Sequence, residues 1–124
     1  MPETILLVDD ETNVRRLVRR ILQMSGYTVL EASGGTDALH ICQQYEGQLH
    51  LLLTDVLMPG MNGQSLAEQV TDLRPCTRVL YMSGYADSTL ITLSERKTEI
   101  AFIRKPFTPD ALARKVRAIL DASR

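Results

Sequence analysis

At 124 residues the chain has room for one domain with its own core and needs no staple of disulfides or structural metal. A hydrophobic content of 44% with 23% charged residues is that of an ordinary globular protein, and a formal net charge of −1 leaves no footprint for nucleic acid or an anionic membrane. The two cysteines, Cys42 and Cys76, lie far apart with no Cys-x-x-Cys spacing, which argues against a disulfide or a zinc site and for a reducing compartment.

Met1-Pro2-Glu3-Thr4 leads into an apolar run without a basic stretch, and no run approaches membrane-spanning length. A single cytoplasmic domain over residues 1–124, with its core at about 4–122, is expected.

Thr4-Ile-Leu-Leu-Val8 is a short continuous apolar run, as for a strand covered on both faces, and it ends in Asp9-Asp10-Glu11. Val14, Leu17, Val18, Ile21 and Leu22 recur at helical spacing, with Thr12 or Asn13 as cap and Arg15, Arg16, Arg19 and Arg20 on the other face. Ser25-Gly26 stops that helix. Tyr27–Glu31 reads as a second strand, and Thr36–Tyr45 as a second helix through Ala38, Leu39 and Cys42.

Leu51–Thr54 is a third strand that delivers Asp55 to its end, where Met58-Pro59-Gly60 breaks regular structure. Asn62 or Gly63 starts a helix carrying Leu66, Val70 and Leu73, closed by Pro75. Arg78–Met82 is the fourth strand and exits at Ser83-Gly84. Asp87–Leu93 is a weaker helix, since its Ser and Thr side chains compete for backbone hydrogen bonds. Ile100–Ile103 is the fifth strand, closed by Lys105-Pro106. Thr108-Pro109-Asp110 then supplies a cap, a proline at the first helical position and an early acid for a last helix faced by Leu112, Val116, Ile119 and Leu120.

Five strands alternating with five helices imply an α/β fold, a parallel sheet with helices on both faces. In such a sheet all strands end on one edge, so Asp9, Asp10, Asp55, Ser83 and Lys105 should converge from distant parts of the chain. Two carboxylates about 5 Å apart at an effective dielectric of about 20 repel by about 3 kcal/mol. A hard divalent cation such as Mg²⁺, with oxygen ligands, relieves that repulsion. One oxygen of Asp55 is then poised as a nucleophile that forms an aspartyl phosphate, with Lys105 and the cation stabilising the transferring group and Ser83 a donor to it.

The acidic pair Asp9-Asp10, Asp55 in Thr-Asp-Val-Leu-Met-Pro-Gly, Ser83 in Met-Ser-Gly-Tyr-Ala and Lys105 in Lys-Pro-Phe, in this order, resemble the CheY-like receiver domain of bacterial response regulators in two-component signalling. The resemblance spans roughly Thr4 to Ala122. It implies a flavodoxin-like doubly wound (βα)5 fold with strand order 2-1-3-4-5. Asp55 would accept a phosphoryl group from the phosphohistidine of a histidine kinase or histidine phosphotransfer partner. Asp10, Asp55 and the Leu57 backbone carbonyl would hold Mg²⁺ directly, with Asp9 acting through water.

By the same resemblance, Ser83 and Phe102 would form a switch. Leu57 and Tyr85, two residues beyond Asp55 and Ser83, would tune how fast the acyl phosphate is lost; an apolar and an aromatic residue there should make it long-lived. The domain would catalyse only its own phosphorylation and dephosphorylation. The segment after Ser83 is the expected mobile element.

The four arginines of the first helix read either as a solvated face or as a docking surface for a kinase or phosphotransfer helix bundle. Three rival readings stand beside the receiver: a Mg²⁺-dependent aspartyl-phosphate hydrolase, a flavodoxin-like cofactor binder and a silent receiver that only docks proteins. The hydrolase needs an Asp-x-Asp on the first strand, which ends here in Asp-Asp. A flavin phosphate would be repelled by Asp9-Asp10-Glu11. Glu3–Glu11, Leu80–Ala86 and Lys105–Pro109 look most like receivers at the C-terminal end of hybrid sensor histidine kinases, so of the two readings, a stand-alone regulator or a module of a longer protein, the module is the one expected.

Overall fold

The apolar runs form strands because both of their faces find cover. The computed structural model describes residues 2–84 and 101–122. In chain order it has β1 (Thr4–Val8), α1 (Thr12–Met24), β2 (Thr28–Ala32), α2 (Gly35–Gln44), β3 (Leu51–Asp55), α3 (Gly63–Leu73), β4 (Arg78–Ser83), β5 (Phe102–Arg104) and a last helix, α4 (Pro109–Ala122). The strands form one sheet, ordered β2-β1-β3-β4-β5, and every pairing is parallel. The expected helix at Asp87–Leu93 lies outside the described residues.

Side chains alternate along a strand, so each central strand feeds two cores. Ile5, Leu7, Leu51 and Leu53 pack with Val18 and Leu22 of α1 and with Leu112, Val116 and Leu120 of α4. Leu6, Val8 and Leu52 pack on the opposite side with Ala38 and Cys42 of α2 and with Leu66, Ala67 and Val70 of α3. The split follows from topology. From β1 the chain crosses one way through α1 to β2, then reverses through α2 past β1 to β3, and crossovers of one hand then put α1 and α2 on opposite faces. The crevice this reversal opens, between the ends of β1 and β3, is where such sheets bind ligands.

Three local expectations are corrected. Leu17 is 59% exposed and Leu73 is also exposed. At about 100° per residue, Leu17 falls outside the stripe that buries Val18 and Leu22. Leu73 is the last residue of α3, where the helix leaves the core. Thr12 is the first helical residue of α1 and Glu11 is the cap, without a side-chain capping bond. The other caps follow the sequence. Asn62 accepts from the Ser65 N–H at 2.8 Å, Thr108 accepts from the Ala111 N–H at 3.1 Å, and Gly26 turns the chain after α1 with φ of 95°. Strand and helix ends differ from the sequence expectation by one or two residues.

Candidate functional site

Strand register places the chemistry. Val8 pairs with Thr54, so the next residues, Asp9 and Asp55, leave adjacent strands side by side. Asp55 pairs with Met82, and Ser83 follows; Ser83 pairs with Arg104, and Lys105 follows. The Lys105 N–H donates to the Ser83 carbonyl at 2.8 Å, which carries the rim one residue further. Four of the expected residues thus meet through pairing alone, and Asp10 joins them as the neighbour of Asp9.

Asp9 is fully buried and held at every polar atom. Its N–H donates to the Ala32 carbonyl (3.2 Å), its Oδ1 accepts from the Glu11 N–H (2.9 Å), its Oδ2 meets Lys105 Nζ (3.2 Å) and its carbonyl accepts from Arg15 Nη1 (2.8 Å). Asp55, also buried, faces Lys105 Nζ at 3.3 Å through Oδ2. Asp10 is exposed. Asp9, Asp10 and Asp55 each offer an oxygen, and the three lie within 4.8 Å of one another. Three hard oxygen donors, two of them buried, with no histidine or cysteine among them, fit a Mg²⁺-like cation.

Burial pushes the Asp55 carboxyl above the usual carboxylate range. Lys105 pulls it down, Asp9 adds to the rise, and burial prevails. Burial also opposes the charge on Lys105, but Asp55 and Asp9 together hold its ammonium above the ordinary lysine value. Lys105 shifts as in a simple ion pair, whereas Asp55 does not, because its burial outweighs the ammonium beside it. The site is short of positive charge, which a cation would supply.

Ser83 is buried at the end of β4. Phe102 is half-buried on β5, opposite Tyr81. The Leu57 side chain is 62% exposed in the loop after Asp55. Tyr85 lies outside the described residues. The four arginines divide: Arg15 and Arg19 turn back to Glu31 at 3.4 and 2.6 Å, while Arg16 and Arg20 are exposed beside Leu17 and Met24. A mainly apolar groove of about 390 Å³, lined by Val14, Leu17, Val18, Gly84, Lys105, Pro106 and Phe107, runs from that face to the site.

One residue that shapes the site was read in the sequence only as a helix start. Gly63 begins α3 against the Asp55 backbone and donates its N–H to the Val56 carbonyl at 2.8 Å, closing the loop behind the Asp55 carboxylate. The sequence signal was a glycine eight residues after a strand-end acid, which does not by itself distinguish a turn from a close approach. Among the described residues, no helix is long and apolar enough to cross a membrane.

The profile of the family described as the response regulator receiver domain matches residues 5–117. Sensor kinase CckA of Brucella abortus is 36% identical over 118 residues, covering 95% of this chain and 12% of that protein. The response regulator receiver protein CpdR of the same organism is 31% identical over 119 residues, covering 96% of this chain and 98% of that one. The crystal structure of a CheY-like response regulator receiver domain protein from Methanospirillum hungatei superposes with a TM-score of 0.87 at 30% identity, covering 99% of this chain and 97% of that one. The chain spans about one-eighth of the sensor kinase's length and nearly all of CpdR's.

Proposed function

Because the chain belongs to the response regulator receiver domain family, the phosphoacceptor domains of two-component systems, we propose that Asp55 takes a phosphoryl group from a partner phosphohistidine in a Mg²⁺-dependent reaction. The observation that carries this reading is the cluster of Asp9, Asp10 and Asp55 oxygens, with Lys105 Nζ bridging Asp9 and Asp55. An Asp55 oxygen attacks phosphorus as the P–N bond to the donor imidazole breaks, and the electron pair leaves with that nitrogen, which takes a proton. Asp10, Asp55 and the Leu57 carbonyl would hold the cation, with Asp9 acting through water, and a cation held there would supply positive charge to the phosphoryl oxygens. Lys105 trades its bond to the Asp55 carboxylate for one to the phosphoryl group, and buried Ser83 donates its hydroxyl to it.

Phosphorylation adds about −1.5 to −2 charges at this point. Ser83 and Phe102, on neighbouring strands, carry the change toward the surface beyond β5. The donor's helix docks across the outer stripe of α1, where Arg16 and Arg20 flank Leu17 and Met24, and along the groove that ends at Lys105. An acidic, amphipathic helix complements that stripe. Arg15 and Arg19 are withdrawn from this surface by Glu31. We further propose that residues 1–124 form a single domain, a module of a longer signalling protein acting in the cytoplasm.

The test is direct. Incubation with Mg²⁺ and acetyl phosphate should raise the mass by one phosphoryl group, and Asp55→Asn should remove the increase. An unchanged wild-type mass, or a full increase in the variant, would refute the assignment.

A further inference from the structure

Arg15 occupies a position that a solvent-facing arginine does not need. Its side chain is only 16% exposed, its Nη1 donates to the Asp9 carbonyl at 2.8 Å, and its Nε lies 3.4 Å from Glu31 Oε1. Glu31, on β2, accepts Arg19 Nη1 on its other oxygen at 2.6 Å, so the carboxylate is held between two guanidiniums. The Asp9 carbonyl is the oxygen of the peptide joining Asp9 to Asp10. The Asp9 N–H on Ala32 fixes the preceding peptide, and the Arg15 bond to the Asp9 carbonyl then orients the Asp9–Asp10 peptide itself.

We infer that Arg15, braced by Glu31, is a positioning residue for the acid pair: it sets the Asp9–Asp10 peptide so that the exposed Asp10 carboxylate is aimed at the cation. Asp10 needs such help because it is exposed, whereas buried Asp9 and Asp55 are held by their own contacts. A planar guanidinium suits the task. One nitrogen grips the carbonyl while another, at fixed spacing, is anchored on Glu31; a lysine ammonium offers one point and no fixed geometry. The inference rests on the Mg²⁺ reading above and adds a residue to it.

Mg²⁺ affinity, measured by titration calorimetry on the full chain, separates geometry from charge. If Arg15 acts by position, Arg15→Lys and Arg15→Gln should both weaken Mg²⁺ binding about tenfold, the lower end for groups that orient metal ligands. Glu31→Gln should produce a smaller loss, and Arg114→Gln, on the exposed side of α4, none. If only charge mattered, Arg15→Lys would bind as wild type does and Arg15→Gln would bind more tightly; that pattern would overturn the inference. Wild type that takes up no Mg²⁺ would overturn it together with the proposed function, whereas equal binding by wild type and both Arg15 variants would remove this inference alone. Should Arg15→Gln fail to fold, Arg15→Lys carries a second readout. In metal-free protein the Asp10 amide nitrogen, which reports hydrogen bonding to the Asp9 carbonyl, should shift while α3 amides hold still. An unmoved Asp10 resonance would count decisively against it.

Discussion

Gly63 stands so close to Asp55 that a β-carbon added to it would lie 2.2 Å from the Asp55 carbonyl oxygen. No rotamer relieves that clash, because both partners are backbone. Gly63→Ala should therefore push the start of α3 away from the acceptor, destabilising the fold by about 1–3 kcal/mol, the usual range for overpacking. Thermal unfolding should show a Tm lowered by several degrees. Phosphorylation by acetyl phosphate should slow as well, because the loop behind Asp55 moves. A variant as stable and as fast as wild type would show that the helix start yields freely.

The raised Asp55 carboxyl makes a prediction about pH. An acid that holds its proton more tightly when folded contributes stability fully present below its unfolded pKa and lost as pH rises through the folded value. In metal-free protein, Asp55→Asn should raise Tm at neutral pH, and the gain should fade as pH is brought below the ordinary carboxylate range. Saturating Mg²⁺ should stabilise wild type more than the variant and so shrink or reverse the gap. Identical melting of the two at neutral pH without metal would contradict the dominance of burial.

Leu57, two residues beyond Asp55, carries an exposed apolar side chain. On the proposed function, an apolar residue there should hinder water from attacking an acyl phosphate on Asp55. Leu57→Asn should speed loss of the phosphoryl group by up to about tenfold, equivalent to 1.36 kcal/mol of barrier. The decay of phosphorylated protein after donor removal measures this, and an unaltered half-life would rule out the shielding role.

Leu53, buried in the middle of β3, tests the sheet rather than the rim. Leu53→Ala should cost about 2–5 kcal/mol in denaturant unfolding. Asp10→Asn, which alters an exposed group, should cost far less stability while abolishing Mg²⁺ affinity. Comparable losses of stability in both variants would mean that the acid cluster bears on the fold more than its exposure implies.

The sheet was legible because its strands are short apolar runs and its turns carry Gly, Pro and acids, and parallel topology alone then sends Asp9, Asp55, Ser83 and Lys105 to one edge. The division of the α1 arginines was written in the same helical spacing. At about 100° per residue, Arg15 and Arg19 fall next to buried Leu22, and Arg16 and Arg20 fall outside. It went unread because a charged face is easily taken as uniform, and because Glu31, which selects two of the four, comes from another element. The backbone approach of Gly63 to Asp55 has no side-chain signal at all. It is a tertiary distance that local pattern does not encode.

The two-sided hydrophobic interior has one more consequence. Cohesion resides in leucines along the strands, while the polar groups sit on the last strand residue or one step past it. A substitution at the exposed part of the rim, such as Asp10 or Leu57, therefore leaves the leucine interior in place, so the lip can be altered while the sheet that carries it is kept.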